Sequence, residues 1–147
     1  MILAQLMATL DTSLLTRCTL ALDRALALLQ QSAPDSVEYE LYRSACVKEF
    51  EIITEQAGKL LKKALRPYYA SPRQADMLVY KDIFRAAAQH GLLSTSEAER
   101  WLIYRDNRNT TAHDYGVGFA EATTKLLPQF VADASALAKG IHGKPLE

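Results

Sequence analysis

The chain has 147 residues, 49% of them apolar and 23% charged, with a formal net charge of zero and two cysteines. That is the length of one domain, 1–147, and it can bury a single core without disulfide or metal staples. Zero net charge argues against nucleic-acid binding through bulk positive charge, so any RNA contact must use a local patch. No apolar run approaches the ~18 residues that a membrane span needs, and no basic region precedes the apolar Met1-Ile2-Leu3 start, which makes it a poor signal peptide. The expected location is the cytoplasm. Cys18 and Cys46 each lie in an apolar-periodic stretch and read as reduced, buried thiols.

Helical periodicity recurs along the chain, and no stretch alternates with period two long enough to be a strand. Asp11, Thr12 or Ser13 can cap a first helix, in which Leu15, Leu22, Leu26 and Leu29 form one apolar stripe. The turn chemistry of Gln31-Ser32-Ala33-Pro34-Asp35-Ser36 ends it. A long second helix starts near Val37, with Phe50, Ile53, Ala57, Leu60 and Ala64 on one face, and stops at Arg66 before Pro67. Gly58 inside it costs roughly 1 kcal/mol relative to alanine and allows a neighbouring helix to come close.

Ser71-Pro72 opens a third helix, predicted to run to His90 and to end at Gly91. Ser94 and Glu97 have the spacing of a capping box at the start of a fourth helix, which carries Trp101, Tyr104, Arg105 and Arg108. Gly116 and Gly118 loosen the chain, and a fifth helical stretch covers about 119–139, kinked or split by Pro128. The expected fold is all-α, an up-down antiparallel bundle of four to five helices with its core over about 14–140.

Several chemistries can be set aside. There is no Gly-rich phosphate loop and no Ser-centred nucleophile elbow, and His90, His113 and His142 stand apart rather than at metal-ligand spacing. Glu49 and Glu51, with Lys48 and Arg43 nearby, read as solvated salt bridges. A basic ridge of Lys59, Lys62, Lys63 and Arg66 occupies one narrow sector of the second helix. It reads either as a solvated face that complements the helix dipole or as an RNA-backbone contact.

The segment Arg108-Asn109-Thr110-Thr111-Ala112-His113-Asp114-Tyr115 is unusually polar for a bundle helix and poor in helix formers. Local rules are often broken at functional sites. A guanidinium can hold a phosphate, and an imidazole can take the proton of a ribose 2′-hydroxyl, which suits RNA cleavage without a metal. On an ideal helix, however, His113 lies about 140° around from Arg108. The two converge only if the helix bends or ends there, or if a second subunit supplies the partner. One His per chain also leaves the second proton-transfer role unfilled unless two chains meet. On local chemistry alone, an Arg and a His five apart are more often a helix-end pair or a satisfied structural histidine.

The pattern Arg-x4-His-x-Tyr resembles the signature of the HEPN superfamily, and of its HepT branch in particular, whose members include nucleotidyltransferase substrate-binding proteins. Arg43 to Leu65, with Lys48-Glu49-Phe50-Glu51 and Lys59-Leu60-Leu61-Lys62-Lys63, is similar to the family's second helix. Ser71-Pro72-Arg73, the stretch from Ala87 to Leu93, and Trp101 are also similar. The resemblance covers roughly 14–140. One departure is Gly58, where many members carry Trp.

The resemblance implies a HEPN-like bundle that pairs as a homodimer with the motif lining the cleft between protomers. It implies a ribonuclease toxin of a type VII system, with Arg108 and His113 catalytic and Asn109 supporting. No metal or cofactor is implied. A minimal nucleotidyltransferase (MNT) antitoxin is the implied partner, transferring AMP to Tyr115, where the added phosphate and bulk would block RNA. Two other readings stand beside it: a non-catalytic subunit that presents a nucleotide or other substrate to a nucleotidyltransferase, and a helical dimer whose motif is structural.

Overall fold

Ser36 sets where the bundle's central helix begins. Its backbone is extended and its side-chain oxygen accepts the backbone N–H of Tyr39 at 3.1 Å, so it caps the helix Val37–Leu65. Glu38 and Glu40 in the first turn and Lys62 and Lys63 in the last turn suit the helix dipole. In the computed structural model the described residues are 9–111 and 117–146, without the side chains of 109–111 and 117–120. They form six α-helices, named here in chain order: α1 Ser13–Gln30, α2 Val37–Leu65, α3 Pro72–Asp76, α4 Tyr80–Gln89, α5 Thr95–Thr111 and α6 Val117–Ile141. A short 3-10 turn, Arg66–Tyr68, follows α2.

α2 is the hub, packing against α1, α4, α5 and α6. Its face of Phe50, Ile53, Ala57, Leu60 and Ala64 is buried, as the helical spacing predicts. Leu15, Leu22, Leu26 and Leu29 of α1 meet it and are buried too. Phe50, Phe84, Trp101, Tyr104 and Phe130 bring α2, α4, α5 and α6 together in one aromatic cluster. Phe84 stacks on Trp101 at 5.5 Å, and Tyr104 meets Phe130 edge-on at 4.8 Å. The result is the expected all-α antiparallel bundle. Both cysteines are buried and free.

Two boundaries differ from expectation. The third helix is not continuous to His90. It breaks at Met77–Val79 into α3 and α4. Arg66 forks onto the Asp76 carboxylate at 3.1–3.3 Å, and Lys62 Nζ lies 3.5 Å from the Asp76 carbonyl. These cations terminate α3 from outside, in place of further intrahelical bonds. α6, by contrast, runs through Pro128 without being split. Leu127, Phe130 and Ala134 are fully buried on both sides of the proline, so tertiary packing overrides its local cost. Gly91 ends α4 as predicted, with φ +76°, a conformation that favours glycine.

No helix among the described residues is long and apolar enough to cross a membrane.

Candidate active site

α5 is anchored from its start as far as Asn107. At its start, Ser94 Oγ accepts the N–H of Glu97 at 3.1 Å, and Glu97 Oε1 accepts the N–H of Ser94 at 3.0 Å. This is the reciprocal capping box expected from the sequence. In its middle, Arg100 donates to both oxygens of Asp133 of α6 at 2.8 Å. Tyr104 donates to the same carboxylate, and Gln129 does so at 3.2 Å. Burial alone would raise the Asp133 pKa, but the hydrogen bonds from Arg100, Tyr104 and Gln129 outweigh it and hold the carboxyl below its usual range. Near the end of α5, Asn107 Nδ2 donates to the fully buried Thr123 hydroxyl at 2.8 Å.

This anchoring aims the next residue, Arg108, across the bundle at α2. Its Nη2 lies 3.1 Å from Glu55 Oε2. The Arg108 side chain is 28% exposed and that of Glu55 51%, so the pair sits at an open edge rather than in the core. Beside it is a cleft of about 200 Å³ lined by Glu55, Gly58, Lys59, Lys62, Tyr80 and Arg105, among others. Gly58 permits the close approach that forms the cleft floor. A Cβ there would stand 2.6 Å from Cε2 of Tyr80. The Tyr80 hydroxyl donates to the Thr54 carbonyl at 3.0 Å, and the Arg105 guanidinium lies 4.4 Å from the centre of its ring. Burial pushes the Tyr80 phenol far above its ordinary pKa, against the opposing pull of Arg105 and Arg108. It is therefore a wall, not a proton-transfer group near neutrality.

The basic ridge divides. Lys59 and Lys62 line the cleft, Arg66 is held by Asp76, and Lys63 is exposed outside the cleft lining. Asn109 lies in α5, but its side chain, together with His113 and Tyr115, falls outside the described residues. The expected convergence of Arg and His, and the expected distortion of the helix, fall there too. The other histidines serve the scaffold: His90 stacks on Tyr68 at 4.3 Å, and His142 Nδ1 lies 3.0 Å from Thr12 Oγ1. Glu49 departs from the solvated salt bridge expected of it. It turns toward the Cys18 thiol, with one carboxylate oxygen buried and unpartnered among the described residues. Arg43 instead lies 6.0 Å from the Tyr39 ring.

Sequence reasoning missed Glu55, Tyr80 and Arg105. Glu55 shares a helix face with Lys59 and Lys62 at steps of four and three, which is the one signal for it in the sequence. A larger hollow of about 650 Å³ lies between the start of α1 and the end of α6, at the pole away from Arg108.

Residues 17–142 match the family model described as "Nucleotidyltransferase substrate binding protein like". A Haemophilus influenzae protein described as a probable ribonuclease HepT is 28% identical over 102 residues, covering 69% of this chain and 68% of that protein. Among solved structures, a Haemophilus influenzae substrate-binding domain of a nucleotidyltransferase superposes with a TM-score of 0.76 at 22% identity, covering 89% of this chain and 98% of that one. A Shewanella oneidensis HEPN toxin, tri-AMPylated and in complex with its MNT antitoxin, superposes with a TM-score of 0.60 at 14% identity, covering 89% and 98%. At those identities the two structures bear on the fold. With the family model spanning most of its length, the chain belongs to the nucleotidyltransferase substrate binding protein like family.

Proposed function

We propose that the chain is a HepT-like toxin, a metal-independent endoribonuclease that acts as a homodimer. Arg108 binds the scissile phosphate and stabilises its transition-state charge, His113 transfers a proton, and Asn109 supports the arginine. The observation that carries this reading is the placement of Arg108. It stands at an open edge of the bundle, next to a cleft lined by Lys59, Lys62 and Arg105. A chain with no net charge thus concentrates cations at one place, as local phosphate binding requires. Lys59 and Lys62 are the RNA contacts in this reading. Lys63 and Arg66, grouped with them by sequence, are peripheral. The relative described as a probable ribonuclease HepT supports the activity, and the toxin–antitoxin complex supports an MNT partner; in this reading that partner transfers AMP to Tyr115.

Expression of the chain alone, compared with Arg108→Ala and His113→Ala, tests the reading. Growth arrest and chelator-resistant RNA cleavage are expected from the wild type and absent from both variants. Equal harmlessness of all three would sink it. That result would favour a non-catalytic subunit presenting substrate to a nucleotidyltransferase, which the family's description favours. Incubation with the partner and ATP should add the mass of AMP to the wild type but not to Tyr115→Phe.

A further inference from the structure

The cleft beside Tyr80 joins apolar lining to positive charge. Gly58, Leu78, Tyr80 and Ile83 supply the apolar part, and Lys59, Lys62 and Arg105 stand against one carboxylate, Glu55. Glu55 is held by Arg108, and Lys62 reaches the Asp76 carbonyl. Lys59 and Arg105 pair with no carboxylate among the described residues. A surface arginine ordinarily keeps its head in water. The Arg105 side chain is instead half-buried, with its guanidinium 4.4 Å from the centre of the Tyr80 ring. That ring is tied to the Thr54 carbonyl at 3.0 Å and packed on Phe84 at 4.7 Å. A fixed aromatic support thus holds a planar cation at the wall of the cleft.

Volume narrows the ligand. The cleft encloses about 200 Å³, below the roughly 300–1,000 Å³ of pockets that engulf a free small molecule. It suits one planar unit of a longer chain whose remainder lies outside. The cations suit phosphates, and the apolar lining with a planar guanidinium suits a nucleobase. A base enters such a cleft only when it is unstacked from its neighbours, as in the single-stranded loops and ends of RNA.

We infer that this cleft is a base subsite for single-stranded RNA. One unstacked base lies against the Arg105 guanidinium, and Lys59 and Lys62 hold the phosphates beside it. This rests on the ribonuclease reading and deepens it. Arg105 is then a specificity-determining residue, which selects RNA with an unpaired base, and no bond is made or broken in the cleft. Tyr80 supports Arg105 rather than the base.

The test measures binding by fluorescence anisotropy, in chelator, with two labelled oligomers of equal length. One is a mixed-sequence 2′-O-methyl RNA, whose blocked 2′ oxygen prevents cleavage. The other is the same 2′-O-methyl ribose–phosphate backbone without bases. Arg105→Ala is expected to weaken the base-bearing strand roughly 5–150-fold more than the baseless one, the range for losing one base stack. Arg105→Lys keeps the charge without the plane. It should show a similar selective loss while binding the baseless strand as the wild type does, which also shows that the variant is folded. Lys59→Ala should weaken both strands alike and flatten the slope of log affinity against log salt by about 0.7. Equal effects of Arg105→Ala on both strands, full affinity in Arg105→Lys, or a Lys59→Ala effect confined to the base-bearing strand would overturn the subsite and leave the ribonuclease reading intact. A wild type that neither binds the base-bearing strand nor cleaves unmodified RNA of the same sequence would remove the ribonuclease reading, and the subsite with it.

Discussion

A single methyl group at Gly58 probes the contact that joins α2, Tyr80 and Arg105. In an open helix interior, Gly→Ala stabilises by about 1 kcal/mol. Here the new Cβ would stand 2.6 Å from Cε2 of Tyr80 and 3.0 Å from Cδ2. The ring cannot swing away freely, because its hydroxyl is bonded to the Thr54 carbonyl and its face is covered by Arg105. Overpacking costs about 1–3 kcal/mol, and displacing the ring weakens a hydrogen bond of about 1 kcal/mol and a cation–π contact of about 0.5–1 kcal/mol. Set against the helical gain, Gly58→Ala should destabilise by about 2 kcal/mol. Urea unfolding at one protein concentration should show a lower midpoint with unchanged slope. The melting temperature should fall by roughly 4–8 °C for a domain of this size. In a Tyr80→Ala background that close contact is removed, and the same methyl group should stabilise by about 1 kcal/mol. An equal effect in both backgrounds, or a stabilised single variant, would refute the close contact.

Other expectations concern the supports of α5 and the thiols. Arg100→Ala leaves the buried Asp133 carboxylate without its main partner and should cost about 2–3 kcal/mol, below a fully buried pair because Arg100 is partly exposed. Asp133 titrates lower folded than unfolded, so its contribution is complete above the unfolded value near ~4 and is lost as pH falls toward the folded one. The gap between wild type and Arg100→Ala in urea midpoint should therefore narrow in acid, and a gap independent of pH would contradict this. Ser94→Ala removes one half of the capping box and should cost about 1 kcal/mol by the same measurement. Burial pushes the Cys46 thiol up to about 11, and burial with the Glu49 hydrogen bond raises that of Cys18. Alkylation of both at pH 7–8 should be slow in the native protein and fast in denaturant.

Helix identity was readable wherever the signal is local. The Ser94–Glu97 pair and Gly91 act on backbone groups within a few residues, and each does in the structure what its position predicts. The break at Met77–Val79 has no Pro or Gly to announce it. It depends on Arg66 and Lys62 reaching Asp76 from another helix. The continuity of α6 through Pro128 is likewise a matter of packing. The site follows the same division. Arg108 could be found from a motif, because the motif is contiguous. Glu55 lies 53 residues away along the chain, and only the crossing of α2 and α5 brings it to the guanidinium. Nothing in local spacing encodes that meeting.

The double duty of α2 has a mechanical consequence. Its inner face is keyed into the core by Ile53, Ala57, Leu60 and Leu61, and its outer face carries Glu55, Lys59 and Lys62. A side chain about 5–6 Å from a helix axis is carried roughly 1 Å by a 10° rotation. Catalytic geometry tolerates about half that displacement. The core thus sets the angular zero of α2, as a keyway sets a shaft. A substitution at Ile53 that only relaxes the packing and never touches the cleft should detune the Glu55–Arg108 pair before it measurably loosens the fold.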